Sequence, residues 1–396
     1  MKHYLPFLLT MTACVPAEDM FSGIYFVKLE AEPAQVASIV NQIVEGLSQD
    51  AEILHIYDSA SEGFSVRIPH LLIGEVEMSP YVKSVFEDTG RDYITPYDPE
   101  SIYEYGNGEV PPGIIRIGGP YLENVDLSSI HVAVLDTGID TTHPDLNVVA
   151  EKDIVGETSG DYSNGKDPNG HGTHVAGTIG ALANGEGVAG VAPGVSLHAV
   201  RVLNGYGSGY YSDIVAGLEY VLDNPEIKVV NLSLGGPKSS ETEPLKEALK
   251  RLEDAGVVVC IAAGNEAQNT KNVAPAAYNY GVIVSAYDVA SSGSSISDRG
   301  FAWFSNYGNA VDIAAPGVSI NSTWPGGSYT HLDGTSMATP HVAGAVAAFL
   351  ANSNEDWTAT EIRDLIIETG ENDYRGQDDQ HPEPFLDFEE LMLRAN

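Results

Sequence analysis

The sequence is poor in basic residues. Only 19 Lys and Arg stand against 56 Asp and Glu in 396 residues, which gives a formal net charge of −37 at pH 7. A phosphate backbone would repel such a chain, so the composition excludes a nucleic-acid partner and disfavours an anionic membrane surface as the working site. Two explanations of the acidity stay open: a soluble exported protein protected from aggregation, or adaptation to a saline habitat.

Cysteine is equally scarce, since Cys14 and Cys260 are the only two. Cys260 lies in the apolar run 257–261, where a small buried thiol is expected. A disulfide framework is therefore excluded as the source of stability, and metal ions are the alternative for an exported protein. Long hydrophobic runs are also missing: no segment approaches the ~20 apolar residues that a membrane-spanning helix needs.

The first residues predict an export signal over residues 1–13. A short basic start is followed by an apolar stretch over 4–11 and then by Thr12-Ala13-Cys14. The run 11–14 also resembles a bacterial lipoprotein signal, in which the cysteine carries the lipid, although Met11 replaces the usual Leu. A lipid anchor at Cys14 and a plain removable signal both stay open. Either one places the protein outside the cytoplasm.

The rest of the chain divides into four zones. Residues 14–95 predict a small α+β domain, with strands at Ile24–Leu29, Glu62–Ile68 and Tyr81–Phe86 and helices at Pro33–Ser48 and Leu71–Met78. Residues 96–109 are rich in Tyr, Pro and Gly and predict a linker. Residues 110–370 alternate apolar strands with helices, which predicts an α/β fold with a mainly parallel sheet covered on both faces. Residues 371–396 predict a polar, acidic tail, except for the run Phe385-Leu386-Asp387-Phe388.

Asp136 and His171 are the first two candidates for chemistry. Asp136 follows an apolar strand, and parallel sheets place their sites at the carboxyl ends of strands. By itself such an Asp equally suits a turn cap. His171 opens a helix and has His174 three residues later, but no Glu stands between them, so the zinc-protease pattern is absent. His174 is expected to be a core histidine beside the site.

Ser336 is the third candidate. Gly334 permits a tight turn before it, and Pro340 is tolerated only near the start of a helix. Ser336 is therefore predicted at a helix N-terminus, where free backbone N–H groups and the helix dipole stabilise negative charge. That position suits a nucleophile whose substrate becomes an oxyanion. A serine that merely caps the helix would not need the small residues around it.

These segments together resemble the subtilase family of serine proteases. The order Asp136, His171, Ser336 is that of subtilisin, and the runs 305–308 and 334–344 are similar to the proteinase K branch. The resemblance covers about residues 110–370. It implies a subtilisin-like three-layer fold behind a ferredoxin-like inhibitory propeptide domain.

The resemblance also implies roles for individual residues. His171 would be the general base, Asp136 would hold its ring, and Asn265 would be the oxyanion-hole amide. The substrate cleft would be formed by Gly207, Ser208, Gly209, Tyr211, Ser233, Leu234, Gly235, Ala262, Ala263 and Gly264. The primary pocket is the one that takes the substrate side chain just before the cut, and no acidic residue is predicted to line it. Broad specificity with a preference for apolar or aromatic side chains is therefore expected.

Calcium is implied as a structural cofactor, and no organic cofactor is expected. One site would use Asp145 with Leu182, Asn184, Glu186 and Val188, and a second would use Asp312 with Asn279 and Gly281. Asp145 and Asp312 as ordinary turn residues remain the alternative. The resemblance further implies a secreted monomer that cuts proteins or peptides, inhibited by its own propeptide until maturation after Tyr103 or Tyr105. A relative that binds peptides without cutting them is the second hypothesis, although all triad residues and Asn265 are present. A dehydrogenase is excluded because no dinucleotide-binding glycine motif follows a strand.

Overall fold

The computed structural model describes residues 22–45, 47, 51–92, 110–120, 126–156, 167–239, 242–292, 295–372 and 382–395. The export signal, Cys14, Tyr103 and Tyr105 lie outside these ranges. Within them, no helix combines the length and the apolar character that crossing a membrane requires.

The first domain is a four-stranded antiparallel sheet packed against two helices. Its elements are β1 (Ser22–Leu29), α1 (Val36–Glu45), β2 (Glu52–Tyr57), β3 (Gly63–Pro69), α2 (Ile73–Glu77) and β4 (Val82–Glu87), followed by the short β5 (Arg91–Asp92). The strand order β2-β3-β1-β4 is that of a ferredoxin-like fold. Strand β2 is an element that the sequence did not predict. It is only partly buried, so it lacks the clean alternation of a strand with one apolar face.

The second domain is built on a mainly parallel sheet. Its strands run from β6 to β18: β6 (His131–Asp136), β7 (Val148–Asp153), β8 (Ser196–Arg201), β9 (Ser208–Gly209), β10 (Ile227–Leu232), β11 (Gly236–Pro237), β12 (Val258–Ala262), β13 (Val273–Ala274), β14 (Val282–Ser292), β15 (Ser295–Phe301), β16 (Ile313–Pro316), β17 (Ile320–Trp324) and β18 (Ser328–Leu332). The main sheet has the order β15-β14-β12-β10-β6-β8-β7, and β16 pairs with β14. Only the pair β14–β15 is antiparallel in this sheet.

Helices cover both faces of this sheet, as predicted. They are α3 (Pro112–Arg116), α4 (His171–Gly180), α5 (Tyr211–Asp223), α6 (Glu243–Asp254), α7 (Thr335–Asn352), α8 (Ala359–Thr369) and α9 (Phe388–Met392). Helices α4 and α7 share one apolar core with the sheet, and α5 and α6 cover the other face. Helix α7 is buried along its first fifteen residues, since its Ala and Gly positions let the backbone approach the sheet.

The C-terminal residues belong to the core of this domain. Phe385, Leu386, Phe388 and Leu391 are buried in the same apolar cluster as α7. The backbone of Phe385 exchanges hydrogen bonds with that of Glu371, at 2.8 and 2.9 Å. Residues 382–395 are therefore packed structure rather than a solvated tail, because their apolar side chains outweigh the acidic composition around them.

Candidate active site

Asp136 and His171 form a buried pair at the carboxyl end of β6. His171 is the first residue of α4, and its Nδ1 lies 2.8 and 2.9 Å from the two carboxylate oxygens of Asp136. The carboxylate can only accept these bonds, so Nδ1 carries the proton and the Nε2 lone pair is left for other chemistry. Nε2 is buried and has no hydrogen-bond partner within the described structure.

A further carboxylate, Asp167, organises the turn that carries His171. It accepts hydrogen bonds from Gly170 N at 2.8 Å and from Thr173 Oγ1 at 2.7 Å. It also accepts from Thr137 Oγ1 at 2.8 Å, next to the Asp136 side chain. Burial raises the pKa of Asp167, and these hydrogen bonds oppose the shift. Sequence reasoning missed Asp167, although an Asp four residues before a helix-opening His is a signal of a capped turn.

His174 faces away from the reacting groups. Its Nε2 donates to the backbone oxygens of Ile320, at 2.9 Å, and Thr330, at 3.2 Å. Burial, and then the neighbouring His171, lower the pKa of His174 to about 3. It is therefore a neutral core histidine that ties α4 to β17 and β18, and not a metal ligand paired with His171.

Ser336 is the second residue of α7, and Ser233 holds it from the end of β10. The Ser336 hydroxyl donates to the Ser233 carbonyl at 3.1 Å, and the Ser233 hydroxyl donates to the Ser336 carbonyl at 2.7 Å. Pro340 explains the second bond. It lacks an N–H, so the carbonyl four residues earlier has no helical donor and takes the Ser233 hydroxyl instead. Pro340 is the sixth residue of the helix, one turn later than predicted.

Asn265 and the Ser336 backbone converge on one point. The Asn265 side-chain oxygen accepts from the N–H and the hydroxyl of Thr335, both at 2.9 Å. This fixes which end of the amide is the donor. A Cβ placed on Gly334 would lie 3.5 Å from Asn265 Nδ2 and 3.5 Å from Ser336 N. The two N–H donors therefore border the same small volume beside Gly334, which makes them candidates for the donors of an oxyanion hole.

The end of the first domain lies against the predicted cleft. Strand β5 pairs antiparallel with β9, with Arg91 opposite Gly209 and Asp92 opposite Ser208. Extended peptides bind proteases by adding a strand in this way, so the chain itself occupies one edge of the predicted cleft. Gly207 starts that edge with a φ of +76°, which favours glycine.

The other predicted cleft residues lie around the same groups. Leu234 is buried beside Ser233, and Gly235 precedes β11. Ala262 ends β12 and Ala263 follows it, while Gly264 donates its N–H to Thr335 Oγ1 at 3.1 Å. Tyr211 is buried, and its hydroxyl donates to the Pro237 carbonyl at 3.1 Å, so it braces the strand edge rather than projecting into solvent.

One acidic residue does stand at the predicted primary pocket. Glu266 accepts a hydrogen bond of 2.6 Å from Asn306 Nδ2. A Cβ on Gly264 would lie 2.8 Å from the same Glu266 oxygen, so this carboxylate borders the pocket wall. The sequence prediction of a pocket without an acidic neighbour therefore needs this correction. Glu266 was not predicted because it directly follows Asn265, and the motif around these residues was interpreted only through Asn265.

The first predicted calcium site has its residues together. Asp145 is 1% exposed, and its two oxygens face the loop 182–188. They accept from Asn184 Nδ2 at 2.9 Å, Val188 N at 3.3 Å and Tyr329 Oη at 3.2 Å. Burial raises the pKa of Asp145. A buried carboxylate beside an oxygen-rich loop fits a calcium ion, which would compensate the buried charge.

The second predicted site does not fit a calcium ion. The Arg363 guanidinium donates to Asp312 Oδ1 at 2.7 Å, to Asn279 Oδ1 at 2.6 Å and to the Asn279 carbonyl at 3.1 Å. These are the oxygens that a metal would need, and the guanidinium already supplies the positive charge. Gly281 is placed two residues beyond Asn279 with a φ of +103°.

The first domain is joined to α5 and α6 by buried polar groups. The Asp88 carboxylate accepts from the N–H groups of Tyr211, at 3.2 Å, and Ser212, at 2.8 Å, at the N-terminus of α5. A carboxylate of the second domain binds the first in the same way: Glu219 of α5 accepts hydrogen bonds from the N–H groups of Asp58, Ser59 and Ala60. Carboxylates at helix and turn N–H groups form strong, charge-assisted bonds.

Comparisons with known proteins agree with this geometry. The subtilase family model matches residues 128–384, and the peptidase inhibitor I9 model matches residues 24–93. Over 293 residues the chain is 42% identical to subtilisin NAT of Bacillus subtilis subsp. natto, covering 73% of this chain and 72% of the relative. An alkaline protease of Alkalihalobacillus alcalophilus is 40% identical over 323 residues, covering 81% of this chain and 77% of the relative. Subtilisin of Bacillus pumilus is 44% identical over 265 residues, 66% of this chain and 91% of the relative.

Proposed function

The chain belongs to the subtilase family and is therefore a serine endopeptidase, and we propose that Ser336, His171 and Asp136 are its nucleophile, general base and orienting carboxylate. One observation carries this assignment. Both oxygens of buried Asp136 hold Nδ1 of His171, and the opposite ring nitrogen is buried without a partner among the described residues. That nitrogen is the acceptor that a serine nucleophile needs.

The reaction follows from these positions. Rotation of the Ser336 side chain moves its hydroxyl from the Ser233 carbonyl to His171 Nε2, which takes the proton as the oxygen attacks the peptide carbonyl. Asn265 Nδ2 and the Ser336 N–H receive the negative charge. His171 then returns the proton to the leaving amine, and water hydrolyses the acyl-enzyme by the reverse use of the same groups.

The decisive experiment is Ser336→Ala. We expect no labelling by a fluorophosphonate, a precursor that stays uncut, and a fall in peptidase activity on the order of 10⁶-fold, a magnitude taken from subtilisin rather than calculated from these distances. Ser328→Ala, which changes an exposed serine, should label and mature normally. A Ser336→Ala protein that retains peptidase activity would contradict the assignment. An unlabelled parent protein that still binds peptides would favour the peptide-binding alternative.

The proposed precursor is an autoprocessed zymogen. The I9 match and the pairing of Arg91–Asp92 with the cleft edge support inhibition by the protein's own first domain. The same pairing favours a cut within a few residues after Asp92. Cleavage after Tyr103 or Tyr105 stays a prediction for residues outside the described structure. Sequencing the mature N-terminus by mass spectrometry distinguishes the two positions.

The remaining parts of the proposal concern substrate, metal and location. Strand addition at Ser208–Gly209 supports broad specificity, because it reads the backbone, and the preference for apolar or aromatic side chains before the cut rests on the resemblance alone. Asp145, Asn184 and the backbone oxygens of the loop, at Leu182, Glu186 and Val188, would hold one structural calcium ion. We further propose that the protein acts as a secreted monomer, with the lipid anchor at Cys14 as the alternative to free release.

A further inference from the structure

A cluster of three metal-binding side chains lies far from the proposed catalytic groups. His131 begins β6 and Asp136 ends it, so the two are about 17 Å apart along an extended strand. His131, His198 and Glu226 each offer one ligand atom, and these atoms lie within 4.8 Å of one another. This is the one group of its kind found in the part of the chain that the structure describes.

The topology of the sheet explains why these residues meet. Strands β6 and β8 are parallel neighbours, with Ala133 opposite His198, so His131 and His198 point to the same face. Glu226 precedes β10, whose first residue, Ile227, is opposite His131. Three segments that are distant in sequence therefore place their side chains at one edge, at the amino ends of three adjacent strands.

The two imidazoles are arranged for a shared partner. His131 Nδ1 and His198 Nε2 are hydrogen-bonded to each other at 2.8 Å, and a metal ion would take the place of the proton between them. Two nitrogens bound to one Zn²⁺ at about 2.0–2.1 Å in tetrahedral geometry are about 3.3 Å apart, so a shift of roughly half an ångström would admit the ion. His198 is 3% exposed, whereas Glu226 is exposed. The ion would therefore have a buried ligand in His198 and could enter from solvent on the side of Glu226.

A neighbouring tyrosine orients the buried ligand. The Tyr220 hydroxyl of α5 lies 3.1 Å from His198 Nδ1. When Nδ1 donates to that hydroxyl, Nε2 presents its lone pair toward His131 and Glu226. Metal-ligating histidines usually have their other ring nitrogen fixed in this way.

We propose that His131, His198 and Glu226 bind one divalent transition-metal ion, with Zn²⁺ as the best match, in a site separate from catalysis. Two imidazole nitrogens and one carboxylate favour zinc over calcium, which takes oxygen ligands. The net charge of −37 adds a general attraction for cations. Such an ion would join β6, β8 and the start of β10, and so act as a staple in a domain whose described cysteine, Cys260, is free.

The test is a Zn²⁺ titration of the whole chain carrying Ser336→Ala, stripped with a chelator and then kept in excess Ca²⁺. Calorimetry should show one bound Zn²⁺, and Co²⁺ should give the visible absorption of a tetrahedral site. Glu226→Gln, which changes an exposed side chain, and His198→Gln should each weaken binding by at least about tenfold. Glu355→Gln, an exposed control far along the chain, should bind like the parent. Absence of binding, or equal affinity in the parent and Glu226→Gln proteins, would overturn the proposal.

Discussion

The two ends of the described chain are attached to the catalytic domain in different ways. The N-terminal domain meets α5 and α6 through charged groups that bind N–H groups or each other: Asp88, Glu219, the pair His55–Asp213, the pair Lys28–Glu247 and the pair Arg251–Glu62. Phe26 and Tyr57 of the N-terminal domain, stacked on each other at 4.8 Å, add an apolar contact, since both are buried in the same cluster as residues of α5 and α6. The C-terminal segment instead buries five apolar side chains in the main core: Phe385, Leu386, Phe388, Leu391 and Ala395.

This difference matches what each end has to do. A joint in which charged groups predominate loses little from those groups when it opens, because each of them regains water, and interfaces between separable partners are more polar than permanent ones. An apolar segment cannot leave without exposing its own side chains and a cavity in the core. The polar joint is therefore suited to a domain that is cut and released, and the apolar one to a segment that stays.

The largest effect should come from the C-terminal attachment. Phe385 is fully buried, stacks edge-on against Tyr287 at 5.2 Å and lies under the Arg116 guanidinium at 4.3 Å. Phe385→Ala should lower the free energy of unfolding by about 3–5 kcal/mol, a fall of roughly 10 °C in Tm. Calorimetry on the mature protein measures it. Leu393→Ala, on an exposed side chain of the same segment, is the control, and equal Tm values for the two variants would refute the packed-segment interpretation.

A smaller effect is expected at the proposed calcium site, which belongs to neither end. At a Ca²⁺ concentration a hundred times its Kd, binding should stabilise the mature protein by about 2.7 kcal/mol. Asp145→Asn removes the buried charge that attracts the ion, so its Tm should not respond to added Ca²⁺. Asp312→Asn, at the position where Arg363 takes the cation's place, should keep the Ca²⁺ response. If both variants respond like the parent, the assignment to Asp145 fails.

Next in size is the N-terminal joint. Glu219→Gln replaces a carboxylate that accepts three N–H groups by a neutral amide. A hydrogen bond to a charged group contributes about 1.5–3 kcal/mol, so the propeptide should bind the mature enzyme roughly tenfold to a hundredfold more weakly. Inhibition by the propeptide added in trans measures the change. The Tm of the mature enzyme should stay unchanged, as it should for Glu355→Gln, and a large fall in Tm would show that Glu219 supports the domain itself.

Much of this fold was predictable, because buried parallel strands are continuous apolar runs and the long helices have clear ends. The prediction of a parallel sheet between helices, behind a ferredoxin-like domain, is confirmed. Asp136 and His171 are in contact at the carboxyl end of β6, and Ser336 is hydrogen-bonded to Ser233 at the end of the neighbouring strand β10, but the triad roles rest on the resemblance and on the proposed experiment. Local sequence patterns predict where strands end and helices begin, and in this fold the ends of β6 and β10 and the starts of α4 and α7 carry the candidate residues.

What the sequence hid depends on contacts between distant residues. Nothing near Asp312 indicates that Arg363, 51 residues later, donates to it. In the acidic residues 371–396 the run 385–388 was noted as apolar, but its burial was not predictable, because it depends on contacts with the distant helices α7 and α8. Strand β2 was not predicted because it packs partly against its own domain and partly against helix α5. Its apolar residues therefore do not alternate along one face.

The smallest predicted effect is a pH dependence of propeptide binding, which is expected at the N-terminal joint and not at the C-terminal segment. Burial raises the pKa values of Asp88, Asp213 and Glu219 at the N-terminal joint. The joined state therefore holds protons more tightly than the separated one. Association should be strongest below the ordinary values of 3.8 and 4.5 and should weaken as the pH rises through the raised ones.

Propeptide binding to a Ser336→Ala enzyme whose linker has been cut by an added protease measures this effect without digestion of the propeptide. As the pH rises from 4.5 toward neutrality we expect Kd to rise, by at most about tenfold per pH unit for each proton linked to binding. Glu219→Gln should flatten part of the curve. The Tm loss caused by Phe385→Ala should be the same across this range, because that side chain does not titrate. A propeptide that binds more tightly as the pH rises would mean that the ion pairs, rather than the buried carboxyls, control the joint.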